Sequence, residues 1–187
     1  MAGCLALSTE TEVKIKIGDV EGFLSSLGIL NPRLLRERHF EDNHLFDFPD
    51  LKLKNSRTLL RVRFAGENCY LTYKGTPKPE GIFKVREELE VSLGSGDEMI
   101  QILSRLGMSV SFRYQKYRRE YNLKGIQIAI DETPIGNYVE FEGDELGIGA
   151  LAQALGIAET QFIRLSYYGL YVEYCRNMGL SPQNMVF

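Results

Sequence analysis

The sequence predicts an α+β protein in which about eight antiparallel strands close into a barrel, with about four helices packed outside. Two observations support this fold class. Segments that alternate apolar and charged residues recur along most of the 187 residues, as strands with two different faces do. Four amphipathic segments with capping residues at their starts separate these strands. The chain shows no internal repeat, so we expect one domain over residues 1–187.

The first half of the chain is predicted to contain one helix and five strands. Residues 11–17 alternate and form the first strand. Asp19 is placed to cap a helix that ends at Gly28. Further strands are predicted at residues 38–46, 59–64, 69–74 and 84–91, with a polar connection at 49–56 and a loop at 75–81.

The second half is predicted to contain three strands and three helices. Asp97 caps a helix that Gly107 ends, and strands follow at residues 112–123, 127–131 and 137–142. Asp144 opens a helix to residue 155, and Ser166 caps a final helix to about residue 178.

Charged residues occupy every second position on these strands, so they form rows on one face of each strand. The cations are Lys14, Lys16, Arg61, Arg63, Lys74, Arg86, Lys116 and Arg118, and the acids are Glu10, Glu12, Glu88, Glu90, Asp131, Glu140 and Glu142. Alternation alone is equally compatible with a solvated charged face and with an inward one. Four helices are available to cover the apolar face, and the rows are almost purely ionic, which favours the inward arrangement.

A barrel lined in this way has a specific chemistry. Hard divalent cations such as Mg²⁺ prefer carboxylate oxygens, often together with substrate phosphates. Arginine and lysine side chains match phosphate oxygens. Acids and bases together therefore suit a metal–phosphate complex better than either would alone.

The order of these motifs resembles the CYTH superfamily, also called triphosphate tunnel metalloenzymes. Its Glu-x-Glu-x-Lys signature near the amino terminus is matched by Glu10-Thr11-Glu12-Val13-Lys14. The other matching segments are Leu60-Arg61-Val62-Arg63, Leu71-Thr72-Tyr73-Lys74-Gly75, Arg86-Glu87-Glu88-Leu89-Glu90, Lys116-Tyr117-Arg118, Ile130-Asp131, Tyr138-Val139-Glu140-Phe141-Glu142 and Ser166-Tyr167-Tyr168. The resemblance extends from about residue 10 to about residue 175.

The resemblance implies an eight-stranded triphosphate tunnel with the charged rows inside, and dependence on Mg²⁺ or Mn²⁺. Carried over by position, the candidate metal ligands are Glu10, Glu12, Glu140 and Glu142, with Asp131 either assisting them or holding a basic neighbour. The candidate phosphate-binding residues are Lys14, Arg61, Arg63, Lys74, Lys116 and Arg118. Catalysis is assigned to Glu12, Lys14 and Glu140, and supporting roles to Lys16, Arg86, Glu88 and Glu90.

The predicted second strand departs from the family pattern. The family often has Gln-x-Asp-x-Tyr-Phe-Asp there, whereas residues 41–47 keep only Phe46 and Asp47 of that motif. The sequence therefore gives no reason to assign a site role to this strand, and Glu41→Ala is expected to have little effect.

Two reactions are compatible with such a tunnel. A triphosphatase would hydrolyse inorganic triphosphate, thiamine triphosphate or a nucleotide, and a class IV adenylyl cyclase would convert ATP to cyclic AMP and pyrophosphate. The Glu140–Glu142 pair could help to support a second metal that activates water, and no stretch of sequence indicates an adenine pocket, which favours the triphosphatase. A non-catalytic module that binds polyphosphate or a nucleotide is a third interpretation.

Composition limits the partners. The net charge of −3 and the lack of a basic stripe argue against long nucleic acid, and no segment is apolar enough to span a membrane. Three cysteines without metal-type spacing are expected to be reduced, so the cytoplasm is the expected location. The aromatic last helix is compatible with either a monomer or a homodimer.

Overall fold

The computed structural model describes residues 8–187, so Cys4 lies outside the described residues. The strands are β1 (Ser8–Ile17), β2 (Arg33–Asp47), β3 (Leu59–Ala65), β4 (Asn68–Lys74), β5 (Lys84–Leu93), β6 (Ser109–Leu123), β7 (Ile126–Thr133) and β8 (Gly136–Glu142). The helices are α1 (Val20–Ile29), α2 (Lys52–Asn55), α3 (Gly96–Arg105), α4 (Glu145–Ala154) and α5 (Tyr167–Met178), and a single 3-10 turn covers Glu159–Gln161.

The eight strands form a closed barrel in the order β1-β5-β4-β3-β2-β6-β7-β8. Every neighbouring pair is antiparallel, and β1 closes the barrel because it pairs with both β5 and β8. The predicted antiparallel barrel with external helices is therefore confirmed. Within residues 8–187, no helix is long and apolar enough to cross a membrane.

The apolar faces of the strands point outward, toward the helices. On one side, Val13, Ile128 and Phe141 are fully buried beneath Leu27 of α1 and Ile148 of α4. Two further apolar clusters lie under α3 and α5. Because side chains alternate along a strand, covering the apolar face from outside places the charged rows inside the barrel.

Several element boundaries differ from those predicted. Helix α1 continues through Gly28 to Ile29, because Leu30 closes it in a right-handed conformation that needs no glycine. Helix α3 begins two residues earlier than a cap at Asp97 predicts, since the Ser95 hydroxyl accepts the capping hydrogen bond from the backbone N–H of Glu98.

The connection at 49–56 is not entirely irregular, because it contains the short helix α2. The carboxylate of Asp47 accepts hydrogen bonds from the backbone N–H groups of Leu53 and Lys54. These bonds satisfy donors that the start of a helix leaves free, and they hold α2 against the end of β2.

One end of the barrel is covered by the chain that leads into α5. Ile163 forms two backbone hydrogen bonds with Lys14, of 2.8 and 3.0 Å, which attach this segment to β1. Arg164 donates to the carbonyl oxygens of Lys78 and Pro79 in the predicted loop at 75–81. The segment 162–168 and this loop therefore lie together at that end.

Candidate active site

The barrel encloses a cavity of about 500 Å³ with a densely charged lining. The cations that line it are Lys14, Arg61, Arg63, Lys74, Lys84, Arg86, Lys116 and Arg118. The acids are Glu10, Glu12, Glu88, Glu90, Glu120, Glu140 and Glu142. Eight cations against seven acids leave the lining nearly neutral in sum, so the acids and cations can pair with one another.

Near the start of β1, each glutamate lies between two cations. The carboxylate of Glu10 is 2.6 Å from Lys74 Nζ and 3.2 Å from Arg86 Nε. Glu12 is 2.7 Å from Lys84 Nζ and 3.4 Å from Lys14 Nζ. The pairing follows from strand register, since β5 places Arg86 opposite Glu10 and Lys84 opposite Glu12.

A second group joins β1, β6, β7 and β8. Glu140 lies 3.2 Å from Lys14 Nζ and 2.7 Å from Arg118 Nη2. Arg118 also donates through Nε and Nη2 to Asp131, to which Lys116 Nζ donates at 3.0 Å. The cations of this group are thus held in fixed positions by buried carboxylates.

The third group lies on β3, β4 and β5. Arg63 Nη2 is 2.9 Å from both carboxylate oxygens of Glu90, and Arg61 Nη2 lies 3.6 Å from the same residue. Arg61 also donates to the hydroxyl groups of Thr72 and Tyr114, at 3.1 and 3.2 Å. This network keeps both guanidinium groups in the cavity wall.

The cavity contains all but two of the site residues predicted from the sequence. Lys16 follows the last inward charge of β1 but is exposed at the end of that strand and does not line the cavity. Asp131 is fully buried behind the wall, where it accepts hydrogen bonds from Lys116, Arg118 and Tyr167. Of the two roles considered for Asp131, this position favours holding basic neighbours.

Glu41 was not predicted as a site residue, but it lies inside the barrel with a side-chain exposure of 1%. Its carboxylate oxygens are 3.5 Å from Lys116 Nζ and 3.6 Å from Arg63 Nη1. The expectation that the second strand has no place in the site is thus corrected for Glu41. The diverged motif concealed a carboxylate on the inward face of β2.

Lys84 was also missed, although its signal was present in the sequence. It stands two residues before Arg86 on β5 and continues the same charged row. Glu120 extends the row of Lys116 and Arg118 on β6 in the same way. Of the tyrosines in the lining, Tyr114 stands two residues before Lys116 on the same face of β6, whereas Tyr167 and Tyr168 lie on α5 and carry no such periodic signal.

Comparison with known proteins decides the family. The model of the CYTH domain family matches residues 8–161, which include all eight strands of the barrel. This chain belongs to the CYTH domain family. A Methanocaldococcus jannaschii protein named "Putative adenylate cyclase" is 30% identical to it over 172 residues, covering 86% of this chain and 97% of that protein.

Solved structures share the CYTH barrel. A Vibrio parahaemolyticus protein described as a putative adenylate cyclase is 20% identical, with a TM-score of 0.76 over 91% of this chain and 99% of its own. A Hippeastrum protein, described as a putative adenylyl cyclase with a dominant triphosphatase activity, is 18% identical, with a TM-score of 0.62 over 92% and 97% of the two chains. At these identities, the likeness shows the fold.

The carboxylates of this CYTH cavity have divergent pKa values. Burial would raise the pKa of Glu12 and of Glu140, but Lys14 and further nearby cations outweigh it and hold both pKa values well below the usual range. Burial, together with the neighbouring Glu10, raises the pKa of Glu142 to about 7. The nearby Lys74 opposes this shift of the Glu142 pKa without reversing it.

The ammonium group of Lys84 has a pKa below its ordinary value. Burial lowers the pKa of its ammonium group to about 8, although the adjacent Glu12 opposes the shift. Lys14 behaves in the opposite way: burial would lower its pKa, but Glu12, Glu140 and Glu10 together raise it above its ordinary value. Lys14 therefore remains charged throughout the neutral range.

The cavity carboxylates suit a hard divalent cation for two reasons. Their oxygens are the ligands that such ions prefer, and a bound cation would reduce the repulsion between them. Burial, Glu12 and Glu88 all raise the pKa of Glu10, so a cation placed among these oxygens would relieve an unfavourable concentration of negative charge. In the described part of the chain, no three acidic, histidine or cysteine side chains already converge as a complete metal site. In the free protein, lysine ammonium groups pair with the carboxylates of Glu10 and Glu12. A metal bound by these carboxylates would replace the ion pairs.

Proposed function

We propose that this CYTH protein is a divalent-metal-dependent triphosphatase that binds its substrate in the charged cavity. The observation that carries the proposal is the closed barrel whose interior holds eight cations and seven acids within about 500 Å³. A buried ionic lining is costly unless its charges are paired or bound to a ligand. A triphosphate together with a metal supplies both charges that such a lining can bind.

The cations would bind the phosphate oxygens of the substrate. Arg61 and Arg63 present planar guanidinium groups, which suit bidentate contacts with phosphate. Lys14, Lys74, Lys116 and Arg118 would add point charges along the chain of phosphates. Each is paired with a carboxylate in the free protein, so its position in the cavity is set before substrate arrives.

Mg²⁺ or Mn²⁺ would be held by Glu10, Glu12, Glu140 and Glu142, and would supply charge neutralisation and activation of water. Lys14 would hold Glu12 and Glu140 in place, since its Nζ lies 3.4 and 3.2 Å from their carboxylates. Catalysis would then depend on positioning and charge neutralisation, because the reaction needs no covalent nucleophile from the protein.

Hydrolysis is favoured over cyclisation by the pair of carboxylates on β8. Glu140 and Glu142 both line the cavity, which gives the site enough oxygen donors to support the activation of water. The Hippeastrum protein is described as having a dominant triphosphatase activity, so this barrel is compatible with that reaction. A class IV adenylyl cyclase is the second candidate, supported by the name of the Methanocaldococcus relative.

A purely binding module is the weakest of the three interpretations. A site that only captured an anion would gain nothing from seven glutamates, because each weakens the attraction for phosphate. The same glutamates are useful where a metal must be held beside the substrate. Turnover in the presence of Mg²⁺ would exclude the binding module.

Product analysis separates the candidates. Purified protein is incubated with Mg²⁺ or Mn²⁺ and either ATP or inorganic triphosphate, and orthophosphate, pyrophosphate and cyclic AMP are measured. We expect orthophosphate and no cyclic AMP. Cyclic AMP with an equal amount of pyrophosphate from ATP would show that the protein is a cyclase and that the proposed hydrolysis is wrong.

A further inference from the structure

Strand β2 places an asparagine inside the barrel, behind the cavity wall. In the register of the sheet, Asn43 lies directly opposite Arg63 of β3 and Tyr114 of β6, and both of these residues line the charged cavity. Asn43 shares their face of the sheet and therefore points inward. It is nevertheless 0% exposed and does not line the cavity. Other inward side chains must therefore separate Asn43 from that space.

A hydrogen bond between the two neighbouring strands helps to cover Asn43. Strand β2 lies between β3 and β6 in the barrel. Arg61 Nη1 on β3 donates to the hydroxyl group of Tyr114 on β6 at 3.2 Å, so this contact passes across β2 on its inner side. The Asn43 amide thus lies behind an arginine that we assign to the phosphate site.

The polar atoms buried in this part of the wall include both donors and acceptors without partners. Among residues 8–187, no group forms a hydrogen bond with Asn43 Oδ1 or Nδ2, with Nε of Arg61 or Arg63, or with Oε2 of Glu41. Glu41 precedes Asn43 by two residues and so lies on the same face of β2. Nδ2 and both Nε atoms are donors, whereas Oδ1 and Oε2 are acceptors. Since these side chains belong to adjacent strands, one small ligand can bridge them.

This mixture of atoms identifies the kind of ligand. Buried polar groups without partners destabilise a protein, and ordered water usually satisfies them with about three hydrogen bonds per molecule. The Glu41 carboxylate would repel an anion, and the two guanidinium groups would repel a metal ion. Water is uncharged and both donates and accepts. It can therefore join a guanidinium Nε to Asn43 Oδ1 or to Glu41 Oε2.

The Nε atoms are important because phosphate would compete for the other guanidinium nitrogens. Arg63 Nη2 lies 2.9 Å from both carboxylate oxygens of Glu90, and Arg61 Nη2 lies 3.6 Å from the same residue. A bound phosphate would replace Glu90 at these atoms. A hydrogen bond at the buried Nε would still fix the plane of each guanidinium group. Such a contact would orient both arginines in the free and in the substrate-bound protein.

From these observations we infer that Asn43 and Glu41 hold ordered water behind Arg61 and Arg63, and that this water site positions both guanidinium groups for the phosphate chain. Asn43 is thus a positioning residue, since it acts through the arginines and does not reach the substrate. The inference rests on the proposed function, because it takes the two arginines as phosphate ligands. It assigns β2 a role that its diverged motif does not indicate.

A high-resolution crystal structure of the wild type tests the water site without any variant. We expect ordered water within hydrogen-bond distance of Asn43 Oδ1 or Nδ2 and of Nε of Arg61 or Arg63. In Asn43→Leu, which keeps a similar volume and removes both amide atoms, this water should be lost. A wild-type structure that shows no water in contact with Asn43 would overturn the inference.

The positioning role is tested by the affinity for tripolyphosphate, measured by calorimetry in EDTA. We expect Asn43→Leu to raise the dissociation constant by about tenfold or more, because both guanidinium groups lose a contact that orients them. Asn43→Ser should stay within about threefold of the wild type, since its hydroxyl group binds water and its smaller size admits a further molecule. An unchanged dissociation constant in Asn43→Leu would overturn the positioning role.

Val62→Ala is the matched control for lost stability. Val62 stands between Arg61 and Arg63 on β3 and is fully buried, but it faces the apolar cluster under α3. Truncating it leaves a cavity that destabilises the protein from the opposite face of the strand. We expect the dissociation constant of the folded variant to stay within about twofold of the wild type. An increase as large as that in Asn43→Leu would attribute both effects to lost stability and contradict the positioning role.

The outcomes also separate this inference from the proposed function. Binding of tripolyphosphate that Asn43→Leu weakens, without turnover of any triphosphate, would support the water site and contradict the triphosphatase. Turnover with Mn²⁺ and a dissociation constant that Asn43→Leu leaves unchanged would support the triphosphatase and contradict the role of the water site. Neither binding nor turnover in the wild type would contradict both.

Discussion

Arg118 and Asp131 form a bidentate ion pair inside the barrel, with Nε 2.7 Å from Oδ1 and Nη2 2.6 Å from Oδ2. Adjacent strands place them directly opposite each other, on β6 and β7. Asp131 is fully buried and also accepts from Lys116 and from Tyr167, the first residue of α5. One carboxylate thus joins two cavity cations to the last helix.

Replacing Asp131 by asparagine should therefore destabilise the protein strongly. The change removes the carboxylate that Arg118 and Lys116 share and leaves them only Glu140 and Glu41, so we expect a loss of about 3–5 kcal/mol in the free energy of unfolding. Urea denaturation measures it. Glu132→Gln is the control, because Glu132 pairs with Arg38 on the surface and should change stability by less than about 1 kcal/mol. Equal losses in the two variants would contradict this role for Asp131.

Glu41→Ala should also destabilise the protein, contrary to the expectation from the sequence. Glu41 is buried between Lys116 and Arg63, and removing it exposes both cations to a cavity with less opposing charge. We expect a loss of about 2–4 kcal/mol in the free energy of unfolding. Glu37→Ala lies on the same strand, but that side chain is 77% exposed, and a change within about 0.5 kcal/mol is expected. A similarly small change in the free energy of unfolding of Glu41→Ala would contradict a structural role for Glu41.

Glu142→Gln should stabilise the protein in a pH-dependent manner. The pKa of Glu142 is about 7 in the folded state against 4.5 for an unperturbed glutamate, so folding favours the protonated form. The wild type accordingly loses stability as the pH rises from about 4.5 to about 7, and the loss is complete above that range. Glutamine removes this penalty, and we expect a gain on the order of 1–2 kcal/mol at pH 8.

The melting temperatures of the wild type and Glu142→Gln, measured at pH 4.5 and pH 8, test this linkage. The difference between the proteins should be present at pH 8 and small at pH 4.5. A difference of the same size at both values would mean that the titration of Glu142 does not contribute to it.

Arg61→Ala should weaken the binding of tripolyphosphate. The Arg61 guanidinium lines the cavity and is oriented by Thr72 and Tyr114, so its loss removes a charged donor from the phosphate site. A loss of about 1.5–3 kcal/mol corresponds to roughly a 10- to 150-fold increase in the dissociation constant. Calorimetry measures it, with Arg38→Ala as an exterior control that should leave the dissociation constant unchanged. If both variants bind equally well, Arg61 is not part of the phosphate site.

The barrel could be predicted because the alternation of apolar and charged residues is visible within the sequence of each strand. Rows such as Glu10, Glu12 and Lys14 identified the inward face once the helices were assigned to the outside. The same alternation places Lys84 on the inward face, two residues before Arg86. Lys16 follows the same alternation and still pairs with β8, but it lies at the exposed end of β1 and does not line the cavity.

Other features depend on contacts between distant parts of the chain. Glu41 belongs to the site only because β2 pairs with β3 and β6, and the diverged motif around it concealed that role. A second cavity of about 360 Å³ beside the charged one is assembled from α2, the ends of β2 and β3, and residues 164–168, so no single segment could indicate it. Asp131 illustrates a further limit, since alternation places it inward without showing that Tyr167 covers it.

The measurement that tests the central claim most directly is metal-dependent turnover in Glu12→Gln and Glu140→Gln. Both residues line the cavity, and the substitutions keep the side-chain shape while removing the charge that a metal requires. Thermal melts establish that the variants fold, and Glu132→Gln serves as the exterior control. We expect the wild type and the control to hydrolyse a triphosphate with Mn²⁺, and each cavity variant to lose at least about 100-fold in rate. Near-normal rates in both cavity variants would show that the charged cavity is not the active site.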